Sequence, residues 1–188
     1  MAQAKAKAKP RSRAKPGAAR HWTADIFDVL KRHNLKQVAY VPDTGQAPLI
    51  EACIRDNEMR AIPLTTEEEG IGVLAGAHLG GEEGALLLQS SGIGNCINML
   101  GVPIECRMPL LMIVTMRGEW GEFNPWQLPM SQGTQAALEA VGVIVLRADS
   151  ADRVGETVEA AARMAFDAGR VVAVLIGQRV VGHKNWDR

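Results

Sequence analysis

Six short apolar runs, separated by stretches with helical spacing, constrain this chain more than any other feature. They lie at residues 38–41, 61–64, 85–88, 110–114, 143–146 and 171–176. Ala85-Leu86-Leu87-Leu88 and Leu110-Leu111-Met112-Ile113-Val114 are apolar at every position. That is the pattern of strands covered on both faces, since a strand with one wet face alternates. Between the runs, Ile26, Phe27, Val29 and Leu30 mark one helix, and Leu49, Ile50, Cys53 and Ile54 a second. A third is expected over 67–79. A fourth, over 97–104, is kinked or shortened by Pro103, and two more are expected at 135–141 and 151–168. The alternation predicts an α/β fold: an open, mostly parallel six-stranded sheet with helices on both faces and right-handed crossovers. Pro63 argues for an edge position or a short strand in the second run.

The 188 residues fit one domain plus a tail. Residues 1–20 carry Lys5, Lys7, Lys9, Arg11, Arg13, Lys15 and Arg20 and no acid, so the formally neutral chain divides into a basic tail and an acidic body at 21–188. The tail is rich in Ala, Lys and Pro without apolar periodicity and is expected to be disordered. We read it as a solubilising extension. With no aromatic residue interleaved before Trp22, a nucleic-acid arm is the weaker reading. No apolar run approaches the roughly 18 residues that span a membrane. Cys53, Cys96 and Cys106 are odd in number and lack C-x-x-C spacing, which speaks against a disulfide framework or a zinc site and for reduced thiols in the cytoplasm.

In a parallel sheet, ligands collect beyond the carboxyl ends of the strands. The loops to watch are therefore Pro42-Asp43-Thr44, residues 65–69, residues 90–95 and residues 117–132. Glu67, Glu68 and Glu69 open a segment containing Gly70, Gly72, Ala75, Gly76 and Ala77. Taken singly, each acid suits the positive end of a helix dipole. Three glycines in a helix are costly, however, and call for close approach of a backbone or a flat ligand. An acid pressed into an apolar contact there would have a raised pKa suited to proton relay. Ser91-Gly92-Ile93-Gly94-Asn95 joins a strand to a helix, where backbone N–H groups bind anions. The dinucleotide pattern fails at Ile97 and no P-loop is present, so a structural tight turn is the rival reading. The loop at 117–132 is polar and aromatic: Trp120 and Trp126 read as interface anchors, and Arg117 either pairs with Glu119 or Glu122 or binds an anion. His78 has no second ligand at metal-site spacing, and no metal site is expected.

Taken together, T-T-E-E-E-G-I-G-V-L-A-G-A-H-L-G, then L-Q-S-S-G-I-G-N-x-I-N, then M-R-G-E, with V-P-D-T at Val41 to Thr44, resemble the pyrimidine-binding domain of thiamine-diphosphate-dependent 2-oxoacid decarboxylases, nearest to the sulfopyruvate and phosphonopyruvate group. The resemblance covers about residues 22–180. It implies a glutamate that hydrogen-bonds N1′ of the cofactor's aminopyrimidine, favouring the tautomer that deprotonates thiazolium C2. Decarboxylation of the 2-oxoacid follows, with the thiazolium as electron sink. Glu67 aligns with that glutamate, with Glu68 as the fallback. Gln89, Ser90, Ser91, Gly92, Gly94 and Asn95 would contact the pyrimidine side. Asp43 and Thr44 would lie near the substrate, and Gln127 resembles a glutamine of the corresponding loop. Arg117, or else the partner chain, would recognise the distal anion of a 3-substituted pyruvate.

In that family, diphosphate and Mg²⁺ are held by a second domain with a G-D-G…N motif. No Gly-Asp dipeptide occurs in this sequence. The resemblance therefore implies a separate beta subunit carrying diphosphate and Mg²⁺, an active site at the shared interface, and a hetero-oligomer with paired copies. A non-catalytic homo-oligomeric binding module that keeps the fold is the alternative.

Overall fold

A computed structural model describes residues 21–182; the basic tail expected over 1–20 and the last six residues lie outside the described part. The elements run α1 (Trp22–Arg32), β1 (Gln37–Tyr40), α2 (Ala47–Arg55), β2 (Arg60–Pro63), α3 (Glu67–Leu79), β3 (Gly84–Gln89), α4 (Ile93–Cys96), α5 (Gly101–Glu105), β4 (Leu110–Thr115), α6 (Leu128–Ala140), β5 (Ile144–Ala148), α7 (Val154–Phe166), β6 (Val171–Ile176) and α8 (Gln178–Val181). The six strands form one sheet in the order β2-β1-β3-β4-β6-β5, and every pairing is parallel.

Period-two alternation along the strands builds two cores. Val38, Leu87, Leu111, Ile113 and Val174 point to the face covered by α1, α2 and α7. Ala39, Leu86, Leu88, Met112 and Val114 point to the face that carries Ile71, Leu74, Ile93, Cys96 and Leu138 from α3, α4 and α6. Leu86, Leu87, Leu88 and Leu111 are fully buried, each contributing about 1.5–3 kcal/mol of burial free energy. Helix α3 lies close on the sheet because position 70 is glycine: a Cβ there would come 2.4 Å from Leu86 Cδ1 and 2.8 Å from Leu64 Cδ1. Close approach, expected of the glycine-rich helix, is thus met at Gly70 by the sheet. A Cβ at Gly72 would meet only Met99 at 3.8 Å, and one at Gly76 would meet nothing within 4 Å.

Pro63 closes β2 at the sheet edge, where a missing N–H is tolerated. The expected boundaries differ most at three helices. In place of one helix over 97–104 there are two short ones, α4 beginning before Asn95 and α5 carrying Pro103 in its first turn, where no helical N–H partner is needed. The polar loop ends early, because α6 starts at Leu128 with Pro129 in its first turn, a favoured place for proline. The helix expected from 151 begins as a 3₁₀ turn, Ala151–Arg153, and becomes α-helical at Val154.

The sheet order reverses between β1 and β3: the chain leaves β1 for β2 on one side and returns to β3 on the other. A crevice opens at such a reversal beyond the carboxyl ends. Asp43, Glu67 and the segment after Gln89 all follow strands at this edge.

Candidate functional site

The three acids at the start of α3 have separate employments. Glu69 Oε2 accepts the Thr65 backbone N–H at 2.8 Å, and Glu68 Oε2 accepts the Thr66 hydroxyl. That hydroxyl, followed by the Glu68 backbone N–H, holds the Glu68 carboxyl below the usual carboxylate range, the opposite direction from a carboxyl raised by an apolar contact. Both carboxylates are thereby engaged with the turn that leads into the helix. Glu67 alone turns toward the segment after β3, where Asn95 Nδ2 donates to its Oε2 at 2.8 Å. The Glu67 side chain lies against Gly92 so closely that a Cβ at 92 would be 2.2 Å from Oε1 and 2.3 Å from Cδ. Gly92 is thus required by contact rather than by an unusual φ, since its φ is −78°. Among the described residues no protein donor reaches Glu67 Oε1.

The strap from Gln89 to Asn95 also reaches the second acid. Gln89 Nε2 donates to Asp43 Oδ1 at 2.8 Å, and the Thr115 hydroxyl donates to Asp43 Oδ2 at 2.8 Å. Asp43 is only 7% exposed; Thr44 beside it is exposed. Both line a small cavity with Tyr40, Pro42, Ala47 and Ile50. Ser90 faces inward: its Oγ is 2.7 Å from Ser131 Oγ and accepts the Arg117 N–H at 3.0 Å, and its carbonyl accepts from Thr134. It fastens the strap to α6 and is fully buried. Its hydroxyl is thereby committed to the protein. Ser91 is half-buried, while Gly94 and Asn95 are exposed.

Of the two uses expected for Arg117, an acid partner or an anionic ligand, the structure shows the acid partner, Glu122. Arg117 Nε and Nη2 donate to Glu122 Oε2 and Oε1 at 2.8 and 3.0 Å, and the two side chains are 8% and 2% exposed. Such a fork-to-fork pair occupies the guanidinium face that an anionic substrate would need. Burial alone would push the Glu122 carboxyl up, but Arg117 and the Asn124 N–H hold it below its usual range. Glu122 further accepts from Gln178 Nε2 at 3.0 Å, while Gln178 Oε1 takes the N–H groups of Glu119 and Trp120, each at 2.8 Å. The loop is thereby pinned to the sheet edge, with Phe123 and Trp126 turned outward, Trp126 being 87% exposed. The Arg179 guanidinium lies 3.7 Å over the Trp120 ring. Gln127 is half-buried, with its Oε1 enclosed and unpartnered.

Sequence reasoning missed Thr115, Gln46 and Gln178. A polar residue closing an otherwise apolar strand is a usable signal for Thr115. Nothing local marks the others. Cys96, behind Glu67, has its thiol pushed up to about 12, chiefly by burial and then by the charges of Glu67 and Glu68. Cys53, also buried, is likewise pushed up to about 12, so neither is a ready thiolate. Among the described residues no cluster of three or more His, Cys, Asp or Glu could hold a metal ion, and no helix is long and apolar enough to cross a membrane.

Comparison with known proteins adds the following. Residues 20–138 match the profile of the thiamine pyrophosphate enzyme N-terminal TPP binding domain. The sulfopyruvate decarboxylase subunit alpha of Methanococcus maripaludis is 35% identical over 80% of this chain and 91% of its own length. The phosphonopyruvate decarboxylase of Streptomyces viridochromogenes is 39% identical over 53% of this chain and 25% of its own. Among solved structures, the 2-oxoglutarate:ferredoxin oxidoreductase of Magnetococcus marinus superposes with a TM-score of 0.72 at 14% identity, over 86% of this chain and 29% of that one. That likeness speaks to the fold.

Proposed function

The chain belongs to the N-terminal thiamine pyrophosphate-binding domain family of thiamine pyrophosphate enzymes, and from that premise we propose that it is the alpha, pyrimidine-binding subunit of a cytoplasmic 2-oxoacid decarboxylase acting on an anionic 3-substituted pyruvate of the sulfopyruvate or phosphonopyruvate type. The observation that carries this is the Glu67 carboxylate: one oxygen held by Asn95, the side chain seated over Gly92, and the other oxygen without a protein donor. Such a carboxylate fits an aminopyrimidine ring nitrogen, because the glycine floor leaves room where a Cβ would collide. Bound there, thiamine diphosphate supplies a nucleophilic carbon for the keto group and an electron sink for the departing carbon dioxide.

The chain's own residues orient and relay. Glu67 holds a proton at pyrimidine N1′. The strap of Gln89, Ser91, Gly92, Gly94 and Asn95 forms the wall on the pyrimidine side, with Ser90 anchoring it from behind. Asp43 and Thr44 face the reacting end of the substrate, and Gln127 offers its unpartnered oxygen from the neighbouring loop. Because Arg117 is committed to Glu122, recognition of the substrate's distal anion falls to the partner.

That partner is a beta subunit holding diphosphate and Mg²⁺, and the two chains form a hetero-oligomer with paired copies. Titration calorimetry with thiamine diphosphate and Mg²⁺ tests this. Tight binding is expected only when the partner chain is present. Heat of tight binding from this chain alone would contradict a shared site; no binding with any partner would leave a non-catalytic module.

A further inference from the structure

The Asp43 carboxylate is buried, yet both of its hydrogen-bond partners are neutral: the Gln89 amide on Oδ1 and the Thr115 hydroxyl on Oδ2, each at 2.8 Å. A buried charge without good partners is unfavourable, so these two donors carry weight out of proportion to their number. We propose that Thr115 is a positioning residue, which with Gln89 fixes the rotation of the Asp43 carboxylate and aims its remaining lone pairs at the substrate. This inference rests on the decarboxylase reading above.

The direction of the Thr115 hydroxyl follows from its surroundings. It has one proton and two acceptors in range: Asp43 Oδ2 at 2.8 Å and the Leu88 carbonyl at 3.4 Å. The shorter bond, to the charged acceptor, takes the proton. Behind it stands Gln46, fully buried, whose Nε2 is 3.0 Å from the Leu88 carbonyl, 3.3 Å from that of Ile113 and 3.5 Å from Thr115 Oγ1. Two of those neighbours are carbonyl oxygens, so the amide nitrogen must face them. A flipped amide would set oxygen against oxygen. Gln46 Oε1 is consequently buried without a partner, a cost that native proteins seldom carry without a purpose.

The result is a directional chain from Gln46 to Thr115 to Asp43. On the far side, a Cβ at position 45 would come 3.0 Å from Asp43 Oδ2 and 2.7 Å from Val181 Cγ1. The carboxylate is thereby enclosed by its own turn and by α8. Each carboxylate oxygen has one protein donor and retains capacity for another.

The test compares Thr115→Val and Thr115→Ser, in the full-length chain and in its complex with the partner. Valine keeps the shape and removes the donor; serine keeps the donor. Misplacing a reacting group by about 1 Å lowers turnover on the order of 100-fold. Thr115→Val should therefore lower kcat by roughly 10- to 100-fold with KM little changed, and Thr115→Ser should recover most of it. In crystals of the full-length chain, the Asp43 carboxylate should be rotated in the valine variant and restored in the serine variant. Wild-type kcat in Thr115→Val, an unmoved Asp43, or no recovery with serine would each overturn the proposal. Glu67→Gln in the same complex separates the two claims. If it is inactive while Thr115→Val is unaffected, the positioning role alone fails. If Glu67→Gln is fully active, the decarboxylase reading fails first.

Discussion

Replacing Gly92 by alanine tests how Glu67 is held. The added Cβ would lie 2.2 Å from Glu67 Oε1, 2.3 Å from Cδ and 2.5 Å from Cγ, so the carboxylate must retreat by about 1 Å to reach an ordinary contact of roughly 3.5 Å. The obstructing atoms are the far end of a half-buried, flexible side chain, which can swing outward. Strain in the folded chain should therefore stay near the low end of overpacking, about 1 kcal/mol or less. Retreat breaks the bond from Asn95 to Glu67 Oε2 and moves the free oxygen off its position. A 1 Å misplacement lowers turnover on the order of 100-fold, equal to about 2.7 kcal/mol of activation free energy. The assay pairs steady-state decarboxylation by the reconstituted complex with a thermal melt of the chain alone. The account predicts a large loss of kcat and a Tm within a few degrees of wild type. Wild-type turnover in Gly92→Ala would refute the reasoning, and so would a loss of activity that merely tracks a collapse in Tm.

Two further outcomes follow from the same geometry. Gly70→Ala should destabilise the chain by about 1–3 kcal/mol, because its Cβ would press on Leu86 and Leu64 inside the core; the denaturant midpoint reads this. Glu159 is held at about 2 by Arg32 first, against the opposing effect of burial, with Arg163 and His33 adding to it. Its folded-state pKa lies below the unfolded value, so its stabilisation is fully present above roughly pH 4.5 and is lost as pH falls toward about 2. Urea midpoints measured across that window should drop less steeply in Glu159→Gln than in wild type.

The sheet was legible because burial on both faces leaves runs such as 85–88 and 110–114 with no polar position, and because parallel pairing then places every following loop at one edge. The helix boundaries were less legible. Pro103 reads as a helix breaker, yet it stands in the first turn of α5, and Pro129 stands in the first turn of α6, where a missing N–H has no consequence. The candidate site was legible as a grouping wherever it consists of a strand end and its loop, as where Glu67 meets Asn95. Contacts between distant segments were not. Nothing near Arg117 determines which acid it takes, and Glu122 is chosen by the way the loop folds back on Gln178. The roles of Gln46 and Thr115 arise only once β1, β3 and β4 lie side by side.

The central claim is that Glu67 acts on the pyrimidine ring of a cofactor whose diphosphate is held elsewhere. Proton exchange at C2 of thiamine diphosphate, followed by NMR in the complete complex, addresses it directly. Glu67→Gln should slow that exchange sharply while leaving the chain folded and the partner bound. Exchange at the wild-type rate would contradict the account.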